Sequence, residues 1–222
     1  MTRPALVLRP EPGNAATARR LEAAGLTVAR LPLFGIVAIE WTPPDDPYDA
    51  LLLTSANAAR LAGPGLAVLR HLPVIAVGAG TAAAAEDAGL RIAAVGQGDG
   101  AQALSLAHRN GWHRILRLAA RDRISLPGVE DIPVYASEPR IPAPGTMRLA
   151  KSAVTLLHSP RAATLFRRLL ERDHTSLASV RIAAISDAVA QAAGKGWDRS
   201  LIAAEPNDAA LVQAACTLAI DH

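Results

Sequence analysis

The chain has one cysteine, Cys216, among its 222 residues. That excludes an intrachain disulfide and any cysteine-based metal cluster. Its place in the apolar helical pattern "ALVQAACTLAI" marks it as a buried, inert thiol. Aromatic side chains make up only 3% of the chain, so there is no stacking platform of the kind single-stranded nucleic acid needs. No block of like charge occurs either. The 23 basic and 20 acidic residues are scattered and leave a formal charge of +3, which does not describe a nucleic-acid-binding tail. No segment approaches the length of a membrane span. The apolar run before Arg9 and Pro10 is too short for a signal peptide. These absences point to a soluble, cytoplasmic protein with no nucleic-acid or membrane partner; a monomer is expected, though nothing in the sequence fixes the oligomeric state.

What is present is aliphatic. Half of the residues are hydrophobic, and with few aromatics the core must be Leu, Val, Ile and Ala. Short aliphatic runs alternate with Ala-rich amphipathic stretches. Strands read at "ALVLR", "LTVARL", "ALLLT", "PVIAVG", "RIAAVG", "RILRLA", "AVTLLH", "RIAAIS" and "SLIAAE". Helices read at 14–24, 57–61, 81–88, 100–110, 161–172, 188–194 and 207–220. This rhythm indicates parallel βαβ units. The nearly continuous apolar strands indicate a sheet covered on both faces. Gly25, Gly89 and Gly111 sit where helix C-caps are needed.

The two halves align. "DALLLTSANAARL" and "SAVTLLHSPRAATLF" each end an aliphatic run in a hydroxyl and pass into a helix. Arg9 and Arg117, Ser55 and Ser159, and Gly78 and Ser186 are separated by 108, 104 and 108 residues (117 − 9, 159 − 55, 186 − 78). An internal repeat across nearly the whole chain implies two similar α/β lobes. "LFGIVAIEW" and "DIPVYASEP" fall outside the βαβ rhythm and are candidate β connectors, at about 33–41 and 131–139. The segment "RDRISLPGVED" is too short and too rich in Pro and Gly for a helix, so the second copy is expected to have a loop where the first has a helix.

The chemistry suggested by single motifs is sparse. "VGAGTAAA" has the spacing of a dinucleotide fingerprint at Gly78, Gly80 and Ala83. The next strand, however, ends in Val95, Gly96 and Gln97, without the acid a ribose needs. A tight turn with close helix packing explains the glycines equally well. His108 and His113 straddle Gly111 and should not share a helix face. His71, His158, His174 and His222 lack a ligand partner at useful spacing, so no metal site is expected. No nucleophile elbow occurs. What remains are turns at the C-terminal ends of parallel strands, where open α/β sheets bind ligands. The turns at Ser55, Ala56 and Asn57, at Gly78 and Thr81, at Ser159, Pro160 and Arg161, and at Ser186 present unpaired backbone N–H groups and hydroxyls. Arg9 and Arg161 add charge. Ser55, Asn57 and Ser159 are equally suited to capping their helices. The set as a whole suits a polycarboxylate or polyphosphate.

The order "LRP", "DALLLTSANAA", "VIAVGAGTA", "PVYAS", "LLHSPRAA" and "AEPNDAALVQA" resembles the uroporphyrinogen-III synthase family almost end to end. The resemblance implies two α/β lobes joined by a two-stranded connector, with a cleft between them. One lobe would be 1–33 with 138–222 and the other 36–133. It implies a cofactor-free, metal-free lyase of tetrapyrrole (haem) biosynthesis acting on hydroxymethylbilane, a linear tetrapyrrole with eight carboxylates. Water is lost and the ring closes with the terminal D pyrrole inverted, through a spirocyclic intermediate. It implies that Tyr135 assists the departing hydroxyl and that Thr81 and Ser159 contact substrate. The chain departs from the family at "AISDAVA": Ser186 and Asp187 replace a Gly-Pro, the hydroxyl expected near Ala188 or Val189 is missing, and Asp187 reads as a helix cap. The alternatives are a non-catalytic two-lobed binding protein for a polyanionic small molecule and a nucleotide-dependent transferase.

Overall fold

The computed structural model describes residues 2–96 and 99–220; Gln97 and His222 lie outside them. By its internal contacts the chain divides into two units, Met1–Gly35 with Pro139–His222, and Ile36–Glu138.

The first unit is built on a five-stranded sheet. Its strands are β1 (Ala5–Val7), β2 (Val28–Arg30), β9 (Val154–Leu157), β10 (Arg181–Ala184) and β11 (Arg199–Ile202), in the order β11-β10-β9-β1-β2 and all parallel. Helices α1 (Gly13–Ala23) and α7 (Asp208–Ala219) cover one face, and α5 (Pro160–Arg172) and α6 (Asp187–Ala193) the other. Every residue of β1, β9 and β10 is buried, because both sheet faces are covered. The sequence of α5 shows how a helix is fixed here. Ala162, Ala163, Phe166, Leu169 and Leu170 form one buried stripe at the spacing of a 3.6-residue period. At the end of α1, Gly25 has φ +85°, and Leu26 N donates to Leu21 O at 3.0 Å. That turn needs a residue without a Cβ.

The second unit holds β4 (Ala50–Leu53), β5 (Val74–Ala76), β6 (Ile92–Val95), β7 (Ile115–Ala120) and β8 (Val129–Pro139). They lie in a six-stranded sheet with β3 (Phe34–Ala38), in the order β3-β8-β7-β4-β5-β6. Helices α2 (Ala56–Leu61), α3 (Ala79–Asp87) and α4 (Gly100–Arg109) follow β4, β5 and β6. With β3 set aside, the order β6-β5-β4-β7-β8 repeats β11-β10-β9-β1-β2, so the repeat seen in the sequence is a repeat of topology. Both stretches set apart as β-like, around Ile36 and Tyr135, are strands. Three 3-10 helices, Gly63–Leu69, Thr146–Ser152 and Leu177–Ser179, were not anticipated.

The register of the repeat needs one correction. Ala5 pairs with Val154, and Ile115 pairs with Ala50. Val154 and Ala50 stand equally far ahead of Ser159 and Ser55. Ala5 therefore corresponds to Ile115, Val7 to Arg117, and Arg9 to Ala119. The match of Arg9 with Arg117 was a two-residue slip, which keeps a side chain on the same sheet face and so leaves the hydrophobic pattern intact.

No helix joins β7 to β8. The chain returns from the end of one parallel strand to the start of the next as a loop. Arg117 anchors it, donating to Ile124 O at 2.9 Å and to both carboxylate oxygens of Asp131 at 2.6 Å. Arg123 Nε adds a third bond to Asp131 at 2.8 Å. Burial alone would raise the Asp131 carboxyl, and the Arg117 and Arg123 hydrogen bonds outweigh it, so its pKa is lowered. No helix among the described residues is long and apolar enough to cross a membrane.

Candidate functional site

In each unit the strand order reverses beside the strand that runs into a serine-led helix: at β9/β1 in the first and at β4/β7 in the second. Such reversals open a crevice at the carboxyl ends of the strands. The turns singled out in the sequence lie there. In the first unit, β1, β9 and β10 are neighbours and lead to Arg9, to Ser159–Arg161 and to Ser186. In the second, β4 and β5 are neighbours and lead to Ser55–Asn57 and to Gly78–Thr81.

Ser55 and Ser159 are both N-caps in extended backbone, accepting from Asn57 N and Ala162 N at 3.2 Å each. Capping therefore uses one lone pair of each hydroxyl and leaves its proton for another acceptor. Ala56 and Pro160 are the first residues of α2 and α5. Gly78 and Ser186 are the N-caps of α3 and α6, neither with a side-chain cap bond. Asp187 is the first residue of α6 and not its cap. Its charge there suits the helix dipole. Thr81 is 8% exposed and the corresponding Val189 2%, so the missing hydroxyl is replaced by buried apolar packing.

The packing explanation of the two glycines does not survive. A Cβ at Gly78 or Gly80 would meet nothing within 4 Å. Gly78 has φ −173°, extended backbone that any residue adopts. The space over this turn is open.

Tyr135 lies in β8 and is 9% exposed, its ring packed in the core around Leu51, Leu118 and Val134. Its hydroxyl makes no hydrogen bond among the described residues. Its oxygen is not one of the buried unpartnered side-chain atoms, so it reaches solvent. Arg161 is exposed and lies over the Phe34 ring at 5.0 Å. Arg9 is not a bare surface charge: Nη1 donates to Asp208 at 3.1 Å and to Thr17 at 3.3 Å.

Asp208, His158, Thr17 and Arg20 were missed by sequence reasoning. His158 Nε2 lies 2.9 Å from Asp208 Oδ1, and the histidine side chain is 8% exposed. Burial lowers its pKa and the Asp208 hydrogen bond offsets this only in part. In the second unit a cavity of about 370 Å³ at the β4/β7 reversal is lined by Thr54, Asp99, Arg117, Arg123 and Leu126 among others. His108 and His113 do not share a helix face, since α4 ends at Arg109, yet their rings stack at 5.7 Å because the Gly111 turn folds the chain back. No group of three or more His, Cys, Asp or Glu suited to a metal occurs among the described residues. Cys216 is half-buried, its thiol pushed up by burial.

Among solved structures, the chain is similar to uroporphyrinogen-III synthetase from Helicobacter pylori. They are 18% identical with a TM-score of 0.66, over 97% of this chain and 99% of that one. It is also similar to a mutant uroporphyrinogen III synthase from Thermus thermophilus, at 17% identity and TM-score 0.47 over 95% and 96% of the two chains. The wild-type form from the same organism gives 15%, 0.38, 96% and 97%. The first of these establishes a shared fold. No curated protein matches the chain significantly. The family model described as "Uroporphyrinogen-III synthase HemD" matches residues 15–213. With nine-tenths of its length matched, the chain belongs to the uroporphyrinogen-III synthase family.

Proposed function

We propose that the chain converts hydroxymethylbilane to uroporphyrinogen III in tetrapyrrole biosynthesis. The observation that carries this reading is the family match over residues 15–213. It disfavours both a binding protein and a nucleotide-dependent transferase. The C–O bond of the hydroxymethyl group breaks and a proton joins the departing oxygen, giving water and an azafulvenium. The bridged α carbon of ring D attacks the azafulvenium methylene to form the spirocycle. Its bond to the methylene shared with ring C then breaks. That methylene bonds to the unsubstituted α carbon of ring D, which sheds a proton. The substrate ionises readily, so the protein's task is to hold the D ring for inversion before unguided closure gives the type I isomer. Positioning of that kind calls for many donors to carboxylate and few strong acids or bases. Each unit carries such turns: Ser55, Ala56, Asn57, Gly78 and Thr81 in one, and Arg9, Ser159, Pro160, Arg161 and Ser186 in the other. The open space at Gly78 supports close approach of a ligand to its backbone.

Tyr135 is the proposed proton donor to the leaving hydroxyl. A ring fixed in the core with its oxygen open to solvent suits that role. Tyr135→Phe should lower kcat by roughly 10- to 100-fold, the low end for general acid help, while type III remains the main product. A Phe variant with wild-type kcat reduces Tyr135 to packing. A slow variant that yields mostly type I makes it a positioning group instead. We infer further that the protein acts as a cytoplasmic monomer without nucleic acid, metal or cofactor, and that chelator leaves its rate unchanged. The reading itself is tested by supplying freshly generated hydroxymethylbilane to purified protein and resolving the oxidised uroporphyrins. Type III is expected, and type I alone would reject it.

A further inference from the structure

Asp208, the first residue of α7, accepts hydrogen bonds from four side chains: Thr17 Oγ1 at 2.6 Å, Arg20 Nη1 at 2.6 Å, His158 Nε2 at 2.9 Å and Arg9 Nη1 at 3.1 Å. Burial alone would raise its carboxyl, and the Thr17 and His158 hydrogen bonds outweigh it, so the pKa is lowered and the group is ionised at neutral pH. An ionised carboxylate only accepts, so the His158 proton sits on Nε2. Two arginines then face one carboxylate and a neutral imidazole. The cluster keeps one unit of positive charge at the carboxyl end of β1.

The part of Arg9 that remains available is specific. Only Nη1 is engaged; among the described residues, Nε and Nη2 have no protein acceptor. That edge carries the parallel N–H pair that meets a carboxylate in bidentate fashion. A Cβ at Gly13 would lie 2.5, 2.6 and 2.7 Å from Nε, Cζ and Nη2 of Arg9. An atom in line with the edge would be nearer the two nitrogens than the recessed carbon. The nearly equal distances therefore place Gly13 over the plane of the guanidinium, and the edge stays open. Asp208 holds one end of the group while the bare Gly13 backbone gives it room to lie flat.

We propose that Asp208 is a positioning residue: by taking Nη1 it presents the Nε–Nη2 edge of Arg9 to a substrate carboxylate. This rests on the reading of Arg9 as a carboxylate contact. The physical gain is entropic. A free arginine loses much of its rotamer freedom on binding, and a pre-set guanidinium has already lost it.

The test is a set of double-mutant cycles on the full chain, with KM and kcat measured for hydroxymethylbilane. Arg9→Ala should raise KM by about 10- to 100-fold, the range for a lost charge-assisted contact. Asp208→Asn and Gly13→Ala should each raise KM by roughly 3- to 30-fold with a smaller change in kcat. In the Arg9→Ala background each should add less than about twofold, since coupled residues are non-additive. If Arg9→Ala leaves KM unchanged, the reading of Arg9 fails and takes the positioning role with it. If Arg9→Ala raises KM while Asp208→Asn and Gly13→Ala act equally with and without Arg9, the role of Asp208 is structural; the proposal is overturned and the Arg9 reading stands. Gly13 is not in the left-handed region, so Gly13→Ala decides the matter even if Asp208→Asn does not fold. A readout independent of turnover is rotation about the Arg9 Nε–Cζ bond followed by NMR. Slow rotation in wild type that becomes fast in Asp208→Asn is expected. Fast rotation in wild type would overturn the proposal.

Discussion

β1 and β7 hold matching places in the two units, each beside the strand that leads into a serine-capped helix. Their crossovers to the next strand differ. In the first unit, α1 covers the sheet with apolar side chains such as Leu21, and β1 carries Val7 at the position corresponding to Arg117. In the second unit a loop replaces the helix, and Arg117 occupies that position almost fully buried, its side chain 5% exposed. A loop cannot supply an apolar stripe, but it has backbone carbonyls that need partners. Arg117 satisfies one of them at Ile124 and pairs with Asp131. Arg9 lies two residues farther along its own strand direction, past the end of β1, a third exposed and with one edge open. The same residue type is scaffold inside the strand and a candidate ligand contact beyond it. Depth along the strand, more than residue identity, separates the two roles.

Removing Arg117 should break this contrast most severely. Arg117→Ala leaves Asp131 buried with Arg123 alone. It should lower unfolding free energy by about 3 kcal/mol, the lower end for splitting a buried pair because Arg123 remains. Replacing both partners, Arg117→Leu with Asp131→Leu, should recover most of the loss. Arg9→Ala in the same denaturant titration should cost about 1 kcal/mol or less, as for a partly exposed pair. Equal losses for the two single variants would erase the distinction.

The second comparison uses pH. His158 has its pKa lowered from 6.5, so near that value the unfolded chain binds more protons than the folded one. Its contribution to stability is complete above pH 6.5 and is lost as pH falls through the folded value. Burial is the main cause; the Arg9 charge adds to it and Asp208 opposes it. Unfolding midpoints between pH 7.5 and pH 5.5 should fall more steeply in wild type than in His158→Gln. Parallel curves would remove His158 from the account.

The smallest expected effect lies inside β9. Thr155 is fully buried and its hydroxyl has no partner among the described residues, whereas Leu51 fills the corresponding position in β4. Thr155→Val keeps the shape and removes an unsatisfied polar group. It should raise stability by about 1 kcal/mol in denaturant titrations. A loss instead would mean that the hydroxyl is satisfied in solution.

What could be read from the sequence follows from distance along the chain. "ALLL" and "VTLL" announce buried strands because a sheet covered on both faces admits little else. The turns at Ser55 and Ser159 are local, so their positions were visible, and the loop at 121–128 announces itself through Pro127 and Gly128. The Asp208 cluster was not visible. Its members come from α1, the turns after β1 and β9, and α7, and no local window contains Arg9 with Asp208. The pairing of Arg117 with Asp131 escaped for a related reason: a strand pattern records which face a side chain takes, and not whether a helix or a loop covers it. The slip between Arg9 and Arg117 shows the same blindness, since a two-residue shift leaves the pattern of faces unchanged.

The central claim is that this chain directs ring closure of hydroxymethylbilane. The most direct measurement is the isomer ratio as a function of protein concentration at fixed substrate, because unguided closure to type I competes with the directed reaction. The type III fraction should rise with added protein until type I becomes a minor product, and it should do so in the presence of chelator. A type I fraction that stays constant at every protein concentration would contradict the account.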